Sequence, residues 1–92
     1  MNPHDAYRPQ MIRDIVFREE DNGAFLFDPI KDELQCLNDT GVVIFKAING
    51  KNSVEDIVKQ VETMYPEVAK EQIRKDVETF LEDLKTRGYL RD

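Results

Sequence analysis

The sequence predicts an α+β domain in which a three-stranded antiparallel sheet is followed by three helices, in the order βββααα. β-prone runs separated by turn residues occupy the N-terminal part of the chain, and apolar residues at helical spacing occupy the rest. The chain has 92 residues, of which 40% are hydrophobic, and that length suits one core. We therefore predict a single domain over residues 1–92, with residues 1–13 as a flexible lead-in without a core role.

Two β-prone runs flank an Asn-Gly dipeptide near the start of the predicted domain. They occupy residues 15–20 and 24–27, and Asn22-Gly23 between them is typical of a tight hairpin. The first two strands are therefore expected to be adjacent and antiparallel. Pro29 lacks a backbone donor, so strand two should end at the residue before it. After a short turn, residues 33–37 are predicted to form strand three.

The first two predicted helices have recognisable ends. Asn38 or Asp39 can cap a first helix with its body over residues 42–48, and Gly50 suits its C-terminal end. Apolar residues cover most of the circumference of this helix, which predicts that it is the central, buried one. Ser53 begins a capping box for the second helix. Its partner is Asp56, and the helix should end at Tyr65, because Pro66 follows.

The third helix is predicted over residues 69–87 from its apolar spacing. The stripe that indicates it consists of Ile73, Val77, Phe80, Leu81 and Leu84. Gly88 suits the residue after the helix, and Tyr89 is expected to fold back onto Leu84 as in a Schellman motif.

Charge and composition exclude several classes of function. Residues 15–39 contain two cations and seven carboxylates, so this segment accounts for −5 of the net charge of −6. An acidic surface disfavours the phosphate contacts that nucleic acids and anionic membranes require. No run approaches the length of a membrane span. The single cysteine excludes an internal disulfide and fits a cytoplasmic protein.

The sequence also contains no catalytic constellation. His4, the one histidine, lies in the predicted lead-in and has no second ligand nearby. Cys36, the one cysteine, is expected to be a buried or half-buried apolar residue of strand three. No phosphate-binding loop surrounds the glycines. We therefore expect a protein that acts by binding, with no metal and no cofactor of its own.

The order of several short motifs resembles the PqqD-like family. These motifs are Leu37-Asn38-Asp39-Thr40-Gly41 with Ile44, Ile48-Asn49-Gly50, Ser53-Val54-Glu55-Asp56-Ile57-Val58, Tyr65, Asp76-Val77-Glu78-Thr79-Phe80-Leu81 and Gly88-Tyr89-Leu90. The resemblance extends from about Arg8 to Arg91.

Members of the PqqD-like family are recognition elements for ribosomally made, post-translationally modified peptides. The resemblance implies a winged-helix-like, non-catalytic domain that binds the leader segment of a precursor peptide and presents it to a modifying enzyme. That enzyme is often a radical S-adenosylmethionine enzyme in small stand-alone members. Phe45 stands where many relatives have a larger aromatic, and nothing assigns pyrroloquinoline quinone as the product.

The resemblance further implies that the leader is added as a strand beside strand three, in a groove walled by helix three. An edge strand offers unpaired backbone groups to such a peptide. The predicted peptide-binding residues are Glu33, Leu34, Gln35, Cys36 and Leu37 of the strand, with Lys70, Ile73, Arg74, Val77 and Leu81 of the helix. The helical wheel leaves open which flank lines the groove, and whether Ile73, Val77 and Leu81 belong only to the core.

Two other functions remain compatible with the sequence. A winged-helix nucleic-acid binder would use helix three for recognition, although five cations balance five carboxylates between Ala69 and Arg87. An adaptor that binds only a folded enzyme would use the same edge strand or the outer helices.

Overall fold

The computed structural model describes residues 7–21 and 23–91, and within them it has the predicted order of three strands and three helices. The strands are β1 (Val16–Glu20), β2 (Gly23–Asp28) and β3 (Glu33–Leu37), and the helices are α1 (Asp39–Ala47), α2 (Val54–Met64) and α3 (Lys70–Thr86). The predicted α+β class and the element order are confirmed.

The sheet is antiparallel with strand order β1-β2-β3, so β2 is central and β3 is an edge strand. Glu20 pairs with Gly23, and Asp28 pairs with Glu33. The hairpin connection therefore lies one residue earlier than predicted, because Gly23 is already part of β2. Asn22 of the predicted turn lies outside the described residues.

The helix ends follow local capping chemistry. The Asn38 side chain accepts a hydrogen bond from the Gly41 amide at 2.8 Å, which resolves the choice of first cap. Ser53 and Asp56 form the predicted capping box. At the end of α3, Gly88 has φ +80°, a conformation that glycine adopts readily. The Tyr89 amide donates to the Leu84 carbonyl at 2.9 Å, as in a Schellman motif.

The core lies between the inner face of the sheet and the three helices. Helix α1 contacts β2, β3, α2 and α3, so it is central, but only part of its circumference is buried. Ile44 and Ala47 are buried, whereas Val42 and Val43 are half-buried. Of the nine helix residues only Asp39 and Lys46 are exposed, so the helix is central and mostly covered, with complete burial at only some positions. The helix also ends at Ala47, one residue before the predicted Ile48.

The lead-in packs against the C-terminal segment. Pro9 is buried, Met11 pairs with Leu90, and the Ile12 amide donates to the Tyr89 carbonyl at 2.9 Å. The expectation that residues 1–13 have no core role is therefore wrong for this stretch, because backbone pairing with a distant segment has no local sequence signal. Residues 1–6, including His4, lie outside the described residues. No helix within the described ranges is long and apolar enough to cross a membrane.

Candidate peptide-binding site

Strand β3 presents its two faces to different surroundings. Side chains alternate along a strand, and here Glu33 and Gln35 point toward α3, where they contact Arg87 and Asp83. Leu37 on the same face is buried. Leu34 is 62% exposed, and Cys36 is exposed on the opposite face. The expectation that Cys36 is buried or half-buried is wrong, because its face of the sheet has no covering layer.

The outer edge of β3 has no strand partner within the described residues, since β2 occupies its other edge. A cleft of about 550 Å³ lies beside it, between β3, the start of α1 and one flank of α3. The lining residues are Gln35, Asn38, Thr40, Gly41, Ile44, Lys75, Asp76, Thr79, Phe80 and Asp83. An open strand edge next to a cleft has the geometry that a further extended segment of polypeptide can occupy.

One end of this cleft is tied by a chain of polar contacts between β3 and α3. Gln35 Nε2 donates to Asp83 Oδ2 at 3.0 Å, and Arg87 Nε donates to the same oxygen at 2.9 Å. Arg87 also approaches Glu33 at 3.4 Å. The hydrogen bond to Asp83 is the main cause that raises the pKa of Arg87 above its usual value. This network holds the strand and the helix at a fixed separation.

The other end of the cleft is shaped by Gly41. A Cβ at this position would lie 3.3 Å from Cε2 of Phe80 and 3.2 Å from Oδ1 of Asn38. Both contacts are closer than ordinary van der Waals packing, so the absence of a side chain lets the Phe80 ring approach α1. Ile44 and Phe80 are the apolar side chains of a lining that is otherwise mostly polar.

The structure separates the predicted site residues of α3 from those of β3. Ile73, Val77 and Leu81 are 2%, 0% and 6% exposed and belong to the core. Arg74 forms an ion pair with Glu55 of α2, with Nη1 and Oε1 2.6 Å apart, and Lys70 is exposed one turn earlier on the same flank. Hydrogen bonding to Glu55 is the main cause that raises the pKa of Arg74. This flank faces α2 and not the cleft.

The cleft is instead lined by the opposite flank of α3, on the other side of the apolar stripe. Its residues there are Lys75, Asp76, Thr79, Phe80 and Asp83. The sequence contains a weak signal that this flank faces strand three. Asp83 and Arg87 have the spacing of an ion pair on that flank, and Glu33 begins the predicted third strand. Among the described residues, no group of His, Cys, Asp and Glu side chains is arranged to hold a metal ion.

Residues 23–90 match the family model described as "Coenzyme PQQ synthesis protein D (PqqD)". The chain belongs to the PqqD family. The matched range begins with β2 and includes β3, all three helices and the residues that line the cleft. No curated protein sequence matches this PqqD-family chain.

Solved structures with the same fold include two that are described as complexes with a leader peptide. "Lasso peptide synthetase B1 complexed with the leader peptide" has a TM-score of 0.77 and 24% identity, over 94% of this chain and 100% of that one. "TbiB1 in Complex with the TbiA(beta) Leader Peptide" has a TM-score of 0.75 and 20% identity, over 89% of this chain and 94% of that one.

A third structure with this fold is a PqqD domain itself. It is the PqqD truncation of Methylobacterium extorquens PqqCD, described as a stand-alone recognition element for ribosomally synthesised and post-translationally modified peptides. Its TM-score is 0.72 and its identity is 23%, over 91% of this chain and 88% of that one. At these identities the three comparisons establish that this chain has the same fold as each of the three proteins.

Proposed function

We propose that this PqqD-family chain binds the leader segment of a ribosomally made precursor peptide and presents it to a modifying enzyme. The observation that carries the proposal is the open outer edge of β3 beside the cleft against α3. A peptide added there gains backbone hydrogen bonds from β3 and side-chain contacts from the helix. The leader peptides in the descriptions of two structures with this fold support the same function.

The proposed site keeps the strand predicted from the sequence and changes the helical flank. Glu33, Leu34, Gln35, Cys36 and Leu37 supply the edge strand, and the α3 residues are those that line the cleft: Lys75, Asp76, Thr79, Phe80 and Asp83. Ile73, Val77 and Leu81 support this wall from the core side.

The chain acts in this proposal by binding and not by catalysis, in the cytoplasm. The modifying chemistry belongs to the partner enzyme, for which a radical S-adenosylmethionine enzyme is the class that the family resemblance implies. The part of α3 that faces the cleft carries two carboxylates, Asp76 and Asp83, and one cation, Lys75, and a face without a net positive charge does not suit contacts with nucleic-acid phosphates.

The proposal is tested by titrating the isotope-labelled chain with the leader of a precursor encoded beside its gene. We expect amide shift changes along β3 and at Thr79 and Phe80. No response to the leader, combined with co-purification of an enzyme, would select the adaptor function instead.

A matched pair of substitutions locates the site. Thr79 is exposed at the cleft and Lys70 is exposed on the opposite flank of the same helix. Thr79→Tyr places a ring across the cleft and is expected to weaken leader binding about tenfold or more, a loss comparable with that of one good apolar contact. Lys70→Tyr is expected to leave the affinity unchanged. The reverse result would return the site to the flank predicted from the sequence.

A further inference from the structure

The outer face of the sheet, which is turned away from the helices, is apolar next to the open edge of β3. Side chains alternate along each strand, and the burial of Leu26 and Leu37 identifies the inner face. The side chains that face outward are Val16, Arg18 and Glu20 of β1, Phe25 and Phe27 of β2, and Leu34 and Cys36 of β3. Both charged side chains of the outer face therefore lie on β1, the strand farthest from the open edge.

The strand register aligns three of these side chains in one row across the sheet. Val16 pairs with Phe27, and Phe27 pairs with Leu34. Phe27 is half-buried in the middle of the row, whereas Val16 and Leu34 at its ends are 46% and 62% exposed. We call Val16, Phe27 and Leu34 the apolar row. Leu34 has a cross-strand neighbour on one side only, because no strand lies beyond β3 in the described part of the chain.

The two edges of the sheet differ in their outward side chains. Folded proteins commonly protect an exposed strand edge with charged residues, and β1 carries Arg18 and Glu20 on the outer face. The outward side chains of β3 are Leu34 and Cys36, which are both exposed and apolar. The edge that is open beside the cleft therefore lacks the charge protection of the other edge, and it offers an apolar contact to a strand that pairs with it.

A peptide that pairs with β3 must place every second side chain on this outer face. Neighbouring strands lie about 4.8 Å apart, so the outward peptide residue beside Leu34 contacts the Leu34 side chain. The next outward residue, two positions along the peptide, lies beside Cys36. The residue between them lies beside Gln35 and faces the cleft. One bound peptide therefore contacts two surfaces of the protein, the cleft and the outer face.

We infer that the bound leader segment has a β-branched, leucine or aromatic residue beside Leu34, where it extends the apolar row by a fourth side chain. This inference rests on the proposed function and adds to it a specificity determinant outside the cleft. Cross-strand pairs between such residues stabilise a sheet by an amount that corresponds to about 1.4- to 5-fold in affinity. Leu34 thus selects the side chain of the leader residue at this position, while the cleft selects its neighbours in the sequence.

Disulfide trapping identifies the leader residue that lies beside Leu34. Leader peptides with a single cysteine, placed at each position in turn, are equilibrated with the chain in a thiol–disulfide buffer, and mixed disulfides are quantified by intact mass spectrometry. Cys36 is the one cysteine of the chain, and Cys36→Ser combined with Leu34→Cys moves the thiol to the apolar row. Bridged Cα atoms are about 4.4 to 6.8 Å apart, so each thiol is expected to trap one position preferentially.

The two trapped positions are expected to be two residues apart, and their order gives the direction of the bound leader. In the native leader, the residue trapped from position 34 is expected to be Val, Ile, Leu, Phe, Tyr or Trp. Arg18 provides the matched control, because it faces outward in register with Phe25 and Cys36. An added strand lies three strand spacings, about 14 Å, from it. Cys36→Ser combined with Arg18→Cys should therefore trap no leader position.

A double-mutant cycle measures the contact itself by calorimetric titration. Leu34→Thr keeps a β-prone residue but removes apolar surface, so we expect it to weaken binding of the native leader by about 1.4- to 5-fold. The loss should disappear when the leader residue beside position 34 is replaced by alanine, because the contact is then already absent. Val16→Thr, at the far end of the apolar row, is the matched control and is expected to leave the affinity unchanged.

The outcomes separate this inference from the proposed function. Any other native residue at the position trapped from position 34 would overturn the inference and leave the proposed function intact. Trapping at consecutive positions, or at none, and an equal effect of Leu34→Thr on the native and the alanine-substituted leader would do the same. A leader that does not bind the wild-type chain in calorimetry would overturn both.

Discussion

The Tyr89 hydroxyl donates a hydrogen bond to Oδ2 of Asp28 at 3.2 Å, although the two residues are 61 positions apart. Asp28 is 1% exposed, and it also accepts from Nη2 of Arg13 at 3.2 Å. The amides of Ile30 and Lys31 donate to Oδ1, the same oxygen that Arg13 approaches at that distance, at 2.9 and 3.2 Å. One buried carboxylate thus joins the lead-in, the end of β2 and the C-terminal segment.

Removal of the Tyr89 hydroxyl is expected to destabilise the fold. A hydrogen bond to a charged group contributes about 1.5 to 3 kcal/mol, so Tyr89→Phe should lower the free energy of unfolding by that amount in urea denaturation. Tyr7→Phe is the matched control, because its hydroxyl donates to the Arg91 carbonyl in an exposed contact. We expect this control to change stability by less than about 0.5 kcal/mol. Equal losses of stability in the two variants would show that the hydrogen bond from Tyr89 to Asp28 stabilises the fold no more than an exposed contact does.

Asp28 also predicts how stability depends on pH. Burial alone would raise the pKa of Asp28. The amides of Lys31 and Ile30, the Tyr89 hydroxyl and the Arg13 guanidinium outweigh burial and hold the pKa below its ordinary value of 3.8. A carboxyl with a lowered folded-state pKa stabilises the fold above its unfolded-state pKa, and this stabilisation is lost as pH falls through the folded-state value.

The expected result is a free energy of unfolding that decreases on acidification below about pH 4 and a flatter profile for Asp28→Asn. Urea denaturation between about pH 2 and pH 6 measures both. Part of the acid sensitivity should remain in the variant. The pKa of Asp56 is lowered mainly by the Ser53 amide, and that of Glu55 mainly by Arg74. Identical profiles for wild type and variant would contradict the assignment to Asp28.

Local signals explain which parts of the fold could be predicted from the sequence. The caps at Asn38 and Ser53 and the stop at Gly88 each involve groups within a few residues, so the chemistry that ends a helix is visible in a short window. The buried roles of Pro9 and Asp28 depend on segments far away in sequence. A count of the carboxylates between residues 15 and 39 cannot distinguish Asp28 from its exposed neighbours, because no nearby residue indicates its distant partners.

The candidate site likewise has one part that could be predicted from local sequence signals and one part that could not. The edge position of β3 follows from the order of the strands, which hairpin signals predict. The flank of α3 that faces it depends on how the helix is rotated, and the apolar stripe around Val77 allows a groove on either side. The contact of Arg74 with Glu55 assigns one flank to α2, so the other flank is left for the cleft. No sequence pattern contains that long-range choice.

Ile73 provides a test of its core assignment. Its side chain is 2% exposed, and removal of one methylene from a packed core costs about 0.5 to 1.5 kcal/mol. Ile73→Val is therefore expected to lower the free energy of unfolding by that amount, measured in urea, while the affinity for the leader peptide stays unchanged. A loss of affinity without a loss of stability would place Ile73 in the binding surface, as the sequence suggested.

Gly41 connects the shape of the cleft with the packing of α1. In Gly41→Ala the new Cβ would lie 3.3 Å from Cε2 of Phe80 and 3.2 Å from Oδ1 of Asn38. The Phe80 ring, which lines the cleft, must then shift by a few tenths of an ångström. Crowding of this kind costs about 1 to 3 kcal/mol, and the better helix propensity of alanine offsets about 0.5 to 1 kcal/mol. We expect a small loss of stability and a several-fold loss of leader affinity.

Gly88→Ala is the matched control for this prediction. A Cβ at Gly88 meets nothing within 4 Å, but its φ of +80° strains any residue with a side chain. The cost is about 1 to 3 kcal/mol, so this variant should lose at least as much stability as Gly41→Ala while keeping its leader affinity. Calorimetric titration and urea denaturation of both variants separate the two effects. If affinity followed stability in both variants, the cleft beside Phe80 would not be the binding surface.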